Sequence, residues 1–424
     1  MQITVKKTMA LRGKVDLPAS KSISNRALAI YALSQLGQAF QMRDLRNVSD
    51  CDDTRVMVRA LNDMPDEIDI MAAGTAMRFL SAYLSVSAGT HVITGTERMR
   101  HRPIALLVDA LRSLGAEVEY VGEEGFPPLR ITGMTCQQSD VARVELPGNV
   151  SSQYISALLM IGPVLPHGME LTLKGNVVSR PYIEMTLGIM RDFGAKADWV
   201  REDQLRVAPG GYNHIPYYIE NDWSASSYWY QMVALSDDAD AQVELPGLFQ
   251  KSLQGDSAIA DIFRPLGVET IYEKDEEGVE GIRIRKSGTP VERYEYDFVN
   301  QPDLAQTLVV TCALMNIPFR FTGLQSLKIK ETDRIHALRT ELRKFGYLVQ
   351  EAEDSILYWD GERTAPEESP AVDTYEDHRM AMALAPVCLS LGQVCIHDPE
   401  VVSKSYPRYW EDMKNMGFEI EEGV

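Results

Sequence analysis

The sequence predicts an α/β protein of two similar domains, each built from three βαβαββ units. Three observations lead there. The chain has 424 residues, too many for one ordinary core and enough for two. A short pattern recurs: a helical stretch closes on a basic residue, two more residues and Gly, and a strand pattern follows. It reads LRSLG ending at Gly115, MRDFG at Gly194, FRPLG at Gly267, LRKFG at Gly346 and MKNMG at Gly417. The glycines stand 79, 73, 79 and 71 residues apart, and five matches at a near-constant period mean a repeated unit. Finally, every unit carries an earlier apolar helix, so two helices alternate with strands in each.

Each element has a local cause. The recurring Gly takes the left-handed conformation that ends a helix, which a side chain with a Cβ adopts only at a cost. The residues after it, such as Ala116-Glu-Val-Glu-Tyr120, alternate like a half-buried strand. The first helices begin near Ser22, Gly74, Ser151, Ser224, Asp303 and Asp377, and the second near Ser49, Arg102, Pro181, Asp256, Thr332 and Pro407. Ser and Asp are ordinary caps at such starts, and Pro is tolerated in a first turn because its missing N–H would be unpaired there. Twelve major helices result. A sixth, damaged copy of the helix-ending pattern lies at Val58-Arg-Ala-Leu-Asn62. The apolar run 380–389 lacks a polar face and is expected to be buried.

Composition excludes several classes. The formal net charge of −19 opposes nonspecific nucleic-acid binding, which needs phosphate neutralisation by Lys and Arg. A local basic cluster can still hold an anionic ligand. Five scattered cysteines, Cys51, Cys136, Cys312, Cys388 and Cys395, form no CxxC and no even framework, so a reducing cytoplasm is expected. No HExxH or regular His spacing predicts a metal. The first residues lack a signal-peptide core, and no apolar stretch approaches a membrane span.

The polar chemistry concentrates just before helices. LPASKSISNR, residues 17–26, sets Lys21, Ser22 and Arg26 at a helix start, which can hold an anion through free N–H groups and the helix dipole; taken alone, the segment reads slightly better as a capped helix with two solvated cations. AAGT, residues 72–75, allows close backbone approach or tight helix packing. RMRHRPI, residues 98–104, gathers basic groups, with Arg102 the choice for a carboxylate or phosphate fork. VSSQY, residues 150–154, and VSRPY, residues 178–182, offer hydroxyls and an amide suited to a phosphorylated polyol, or caps. Asp303 is a cap or a base. KIKETDR, residues 328–334, is a salt-bridged turn or a site. EDHRMAM, residues 376–382, runs from charge directly into an apolar helix; burying charge without purpose is costly, which favours a site. Lys404 precedes the last helix. If the helices run parallel within each domain, an interdomain cleft would suit multiply anionic ligands. There is neither GxGxxG nor GxxxxGK[ST], so no dinucleotide fold or P-loop is expected.

LPASKSISNRA, AGTAMR, RPI, SSQY, VSRPY, KIKETDR and EDHRMAM occur in that order along the chain. In this the sequence closely resembles the 5-enolpyruvylshikimate-3-phosphate synthase family, over essentially its whole length. The resemblance implies the enolpyruvyl transferase fold, with residues 1–19 and 222–424 in one domain and 20–221 in the other, and an active site in the interdomain cleft. It implies transfer of the enolpyruvyl group of phosphoenolpyruvate to the 5-hydroxyl of shikimate 3-phosphate, without cofactor or metal. Lys21, Ser22, Arg26, Ser151, Ser152, Gln153, Ser179, Tyr182, Asp303 and Lys330 would bind shikimate 3-phosphate. Lys21, Gly74, Arg102, Gln153, Arg334, Arg379 and Lys404 would bind phosphoenolpyruvate. Asp303 would be the base and Glu331 would relay a proton at the methylene carbon, with Lys21, Lys330 and His378 completing the catalytic set. A monomer is expected, with no nucleic-acid or membrane partner.

The sequence departs from the family pattern at Ala19, Ala72, Phe79 and Ser326, and the stretch between Ala60 and Met71 is short. The sister enolpyruvyl transferase acting on UDP-N-acetylglucosamine usually carries a reactive Cys on an N-terminal loop, and none occurs between Cys51 and Cys136. A noncatalytic metabolite sensor would need charge recognition but not Asp303, Lys330, Glu331 and His378 together.

Overall fold

The computed structural model describes residues 1–134, 140–274 and 278–423; Cys136 lies outside them. The chain divides into two compact units, Met1–Pro18 with Glu220–Val424, and Ala19–Ile219. The divisions fall one residue before the first boundary read from the sequence and two before the second. Each unit has its own apolar core.

One strand pattern recurs in five four-stranded sheets. The sheet of Ala142–Pro147 shows it. That strand pairs in parallel with Met169–Lys174, and the helix Ser152–Ile161 runs between them. The helix Arg180–Asp192 leads on to Ala197–Arg201, which turns into Gln204–Val207; this last strand pairs antiparallel with both Ala197–Arg201 and Met169–Lys174. Parallel neighbours need a crossover of this length, while antiparallel ones need only a turn. The result is βαβαββ.

Two sheets use strands distant in sequence. Gln2–Lys6 lies between Gln393–His397 and Glu419–Gly423, antiparallel to both, and supplies the last strand of the final repeat. Arg12–Lys14 pairs in parallel with Gln242–Pro246, so the second unit is inserted inside a repeat of the first. Among the described residues the damaged copy keeps both helices but, of its strands, only Leu45–Arg46 and Tyr217–Tyr218, paired in parallel.

All five recurring glycines have positive φ, between 80° and 96°, as a left-handed helix end requires. In the damaged copy the end is not at Asn62. The helix Asp52–Asp63 runs past it and Met64 takes the left-handed position, φ 39°. The twelve repeat helices are all present among the described residues, with two short additions, Glu97–Arg100 and Val387–Leu391. The run 380–389 is buried as expected, but it is two helices rather than one. His378–Leu384 is buried throughout, but Pro386, lacking an N–H, separates it from Val387–Leu391.

Candidate active site

In the unit Ala19–Ile219 the cations Lys21 and Arg26 sit in the first two turns of one helix. Ser20 caps the helix Lys21–Leu33, accepting from the Ile23 N–H at 3.4 Å. Lys21, first in that helix, meets Asp53 at 3.3 Å. Arg26, one turn on, is buried. Its Nε donates to Thr186 Oγ1 at 2.7 Å and its two terminal nitrogens to Ser22 O, Ser156 Oγ and Tyr182 O at 3.0–3.4 Å. These partners are neutral, and burial pulls the Arg26 pKa down to about 10, with Tyr182 opposing. Its guanidinium also lies 5.4 Å from the centre of the Phe79 ring, so the departure at Phe79 puts an aromatic face against this cation.

A second cluster joins Gly74, Thr75, Arg102 and Gln153. A Cβ on Gly74 would stand 2.7 Å from a terminal nitrogen of Arg102, so glycine is what lets the guanidinium lie against the helix start Gly74–Val86. Gln153 Nε2 donates to Thr75 Oγ1 at 3.1 Å, and Ser151 caps the helix of Ser152 and Gln153. Arg102 itself does not begin a helix: Ala105–Ser113 starts after Pro103 and Ile104, three residues past the start expected near Arg102. Sequence reasoning missed what holds its loop. Arg78 bridges Gly74 O at 3.1 Å and Pro103 O at 3.2 Å, and Tyr154 Oη donates to Pro103 O at 2.5 Å. The signal was there in AGTAMR and SSQY, whose last residues these are. Ser179, ahead of the helix Arg180–Asp192, has φ 55°, a conformation a non-glycine residue keeps only when its surroundings enforce it.

In the other unit an acid, a base candidate and four cations form one network. Asp303 lies in the turn Pro302–Leu304, ahead of Ala305–Leu314. Its carboxylate meets Lys330 at 3.2 Å, Arg334 at 3.3 Å and Arg379 at 3.1 Å. Arg334 opens the helix Arg334–Lys344, which Asp333 caps. It is 1% exposed, and its Nε and one terminal nitrogen fork onto Asp377 at 2.7 and 3.2 Å. The same terminal nitrogen reaches Glu331 at 2.8 Å. Glu331 in turn meets Lys404 at 3.2 Å. Asp377 caps His378–Leu384 through the Arg379 N–H, with the His378 Nδ1 3.7 Å away.

Charge balance decides the protonation states. Burial pushes the Asp303 carboxyl up, but Arg379, Lys330 and Arg334 together outweigh it and hold it far below the usual carboxylate range. Burial likewise opposes the Arg334 charge, and Asp377, Glu331 and Asp303 more than compensate. KIKETDR is therefore no solvated surface turn: its last residue is the buried hub of three carboxylates. Among the described residues, no group of three His, Cys, Asp or Glu side chains is placed to share a metal ion.

The family model for EPSP synthase, 3-phosphoshikimate 1-carboxyvinyltransferase, matches residues 5–70 and 62–413. The chain belongs to this family. It is 58% identical over 413 residues to the 3-phosphoshikimate 1-carboxyvinyltransferase of Bacteroides fragilis, covering 97% of each chain. It is 38% identical to that of Idiomarina loihiensis, covering 96% of each. A solved EPSP synthase from Acinetobacter baumannii shares the fold with a TM-score of 0.77 at 21% identity, over 100% of both chains. The α/β fold class read from the repeats is the fold of these enolpyruvyl transferases.

Proposed function

We propose that the chain is a 3-phosphoshikimate 1-carboxyvinyltransferase, joining phosphoenolpyruvate to the 5-hydroxyl of shikimate 3-phosphate and releasing phosphate. Membership of the EPSP synthase family supports the reaction. The observation that carries the residue assignment is the network of Asp303, Glu331, Lys330, Arg334, Arg379 and Lys404. The chemistry needs a base for the hydroxyl, an acid for the methylene carbon and cations for a substrate with two anionic groups.

These contacts support a sequence of events. Asp303 is clamped by three cations, which make it a weak base until they are drawn away. The anionic groups of phosphoenolpyruvate compete for Arg334, Arg379 and Lys404. As those cations turn to substrate, Asp303 regains proton affinity and Glu331 loses its partners. Glu331, protonated once its cations have left it, delivers that proton to the methylene carbon, and C2 becomes electrophilic. The 5-hydroxyl oxygen bonds to C2 as Asp303 takes its proton. The tetrahedral adduct then returns a methyl proton to the Glu331 carboxylate and the double bond re-forms. The C–O bond to phosphate breaks with its electron pair going to the departing phosphate, which takes up the proton held by Asp303. In this reading Lys21, Ser22, Arg26, Ser151, Ser152, Gln153, Ser179 and Tyr182 hold shikimate 3-phosphate, with Asp303 and Lys330 at its ring. Gly74 and Arg102 complete the phosphoenolpyruvate set, with Lys21 and Gln153 serving both substrates and His378 beside Asp377 in the catalytic group. The enzyme works without a cofactor, as a monomer, in the cytoplasm. No described helix is long and apolar enough to cross a membrane.

The test is phosphate release from phosphoenolpyruvate with either shikimate 3-phosphate or UDP-N-acetylglucosamine as acceptor. Release that depends on shikimate 3-phosphate alone is expected. Release with only the nucleotide sugar, or none with either acceptor from folded protein, would refute the proposal.

A further inference from the structure

Glu341 is a carboxylate of the helix Arg334–Lys344 that has no part in the chemistry above, and it is wholly buried. It stands seven residues after Arg334, two turns on along the same face. Both side chains grip one segment, 371–377, which runs from the strand Ala371–Val372 to the start of His378–Leu384. Glu341 Oε1 accepts from the Tyr375 hydroxyl at 2.6 Å, and its Oε2 from the Asp373 N–H at 3.1 Å. Lys344, at the end of the helix, matches the Glu341 charge at 2.9 Å and donates to Ala371 O and Asp373 Oδ2 at 2.9 and 2.7 Å. Arg334, at its beginning, forks onto Asp377. The helix thus holds the segment from end to end. The segment needs holding. Tyr375 and Glu376 follow one another in the left-handed region, φ 55° and 53°, a conformation that is costly for any residue with a Cβ. Asp377 comes next in the chain, so that turn sets its place.

We propose that Glu341 and Tyr375 are positioning residues for phosphoenolpyruvate: they fix the turn that carries Asp377, and Asp377 keeps Arg334 aimed while its other contacts change. This rests on reading Arg334 as a ligand of phosphoenolpyruvate. Arg334 reaches Asp303 through one terminal nitrogen and Glu331 through the other, while its Nε lies on Asp377. Substrate can draw the two terminal nitrogens from Asp303 and Glu331 and leave the Nε bond in place. That bond then tethers the guanidinium, and a planar group tethered at one edge presents the other in a fixed direction. Asp377 also accepts from the Arg379 N–H, so a second cation of the set starts from the same anchor. If the turn at 375–376 relaxes, Asp377 shifts and the fork loses its direction. Binding of phosphoenolpyruvate then suffers before chemistry does.

The experiment measures kcat and both KM values for full-length wild type, Tyr375→Phe, Glu341→Ala, Glu341→Gln, Asp377→Asn and the double variant of Tyr375→Phe with Asp377→Asn, with circular dichroism to check folding. Tyr375→Phe removes only the hydroxyl. Its KM for phosphoenolpyruvate is expected to rise about three- to tenfold, with kcat within about threefold and KM for shikimate 3-phosphate within about twofold of wild type. Glu341→Ala frees both contacts at once and should raise KM for phosphoenolpyruvate about ten- to a hundredfold; where it does not fold, Tyr375→Phe decides. Glu341→Gln restores most of the loss, since the amide oxygen accepts from the Asp373 N–H while the amide nitrogen donates to Tyr375 Oη. In the Asp377→Asn background Tyr375→Phe adds nothing further, because it acts through Asp377. Effects that multiply in the double variant overturn the proposal, as do equal rises in both KM values. Arg334→Lys, which keeps the charge and loses the fork, separates the two readings. If folded Arg334→Lys keeps the wild-type KM for phosphoenolpyruvate, the ligand assignment has failed; if that KM rises while folded Tyr375→Phe and Glu341→Ala bind like wild type, only the positioning role has.

Discussion

Arg26 and Arg334 are buried guanidinium groups in units of the same architecture, and they are solvated by the protein in opposite ways. Arg26 is surrounded by hydroxyls and carbonyls, and among the described residues it pairs with no carboxylate. Arg334 binds three. The first seat is short of an anion, and in the proposed reading shikimate 3-phosphate supplies it. The second is already neutralised, so in that reading phosphoenolpyruvate exchanges with carboxylates that are then released for chemistry. One repeat would then serve both for rigid recognition and for a charge balance that substrate upsets.

Asp303→Ala is expected to have the largest effect on that contrast. It should lower kcat by roughly a hundred- to ten-thousandfold, the usual contribution of a positioned base, with circular dichroism unchanged; turnover near wild type in folded protein would remove chemistry from this unit. Next comes the pair Arg334→Met and Arg26→Met, compared by urea unfolding. Arg334→Met leaves three carboxylates facing one another, and should destabilise by about 3–5 kcal/mol. Arg26→Met removes a cation with only neutral partners, so its stability should stay within about 1 kcal/mol of wild type, while KM for shikimate 3-phosphate rises about ten- to a hundredfold. Equal losses of stability would end the comparison. The smallest effect is expected from Gly74→Ala. Its Cβ displaces the flexible end of Arg102, so KM for phosphoenolpyruvate should rise roughly three- to tenfold with kcat little changed. An unchanged KM would show that Arg102 does not need to lie against this helix start.

The backbone was legible where one residue's own chemistry decides its conformation. Gly115, Gly194, Gly267, Gly346 and Gly417 end helices because of what glycine is. Met64 takes the same conformation against its preference, and no local signal pointed to it. The break at Pro386 was readable but was hidden by the apolar run around it. The site residues were legible as motifs, since charge before an apolar helix is conspicuous. Their partners were not. Thr186 and Ser156 are ordinary helix residues until Arg26 reaches them, and Arg78 and Tyr154 matter only because both meet the Pro103 carbonyl. Asp256 could be read as a helix start, which it is, but the hydrogen bond it accepts from Ser224 exists only once the repeats are packed.

The strand Gln2–Lys6 leaves the ribosome long before its partners exist. Gln393–His397 and Glu419–Gly423, which flank it on both sides, are made after every other repeat. Meanwhile the whole of 19–219 has been produced, with a core of its own to bury. Domains that emerge early fold as units while synthesis continues. The inserted unit can thus mature as a passenger inside an unfinished host, and the host's final sheet is sealed when late strands close around one made before the passenger.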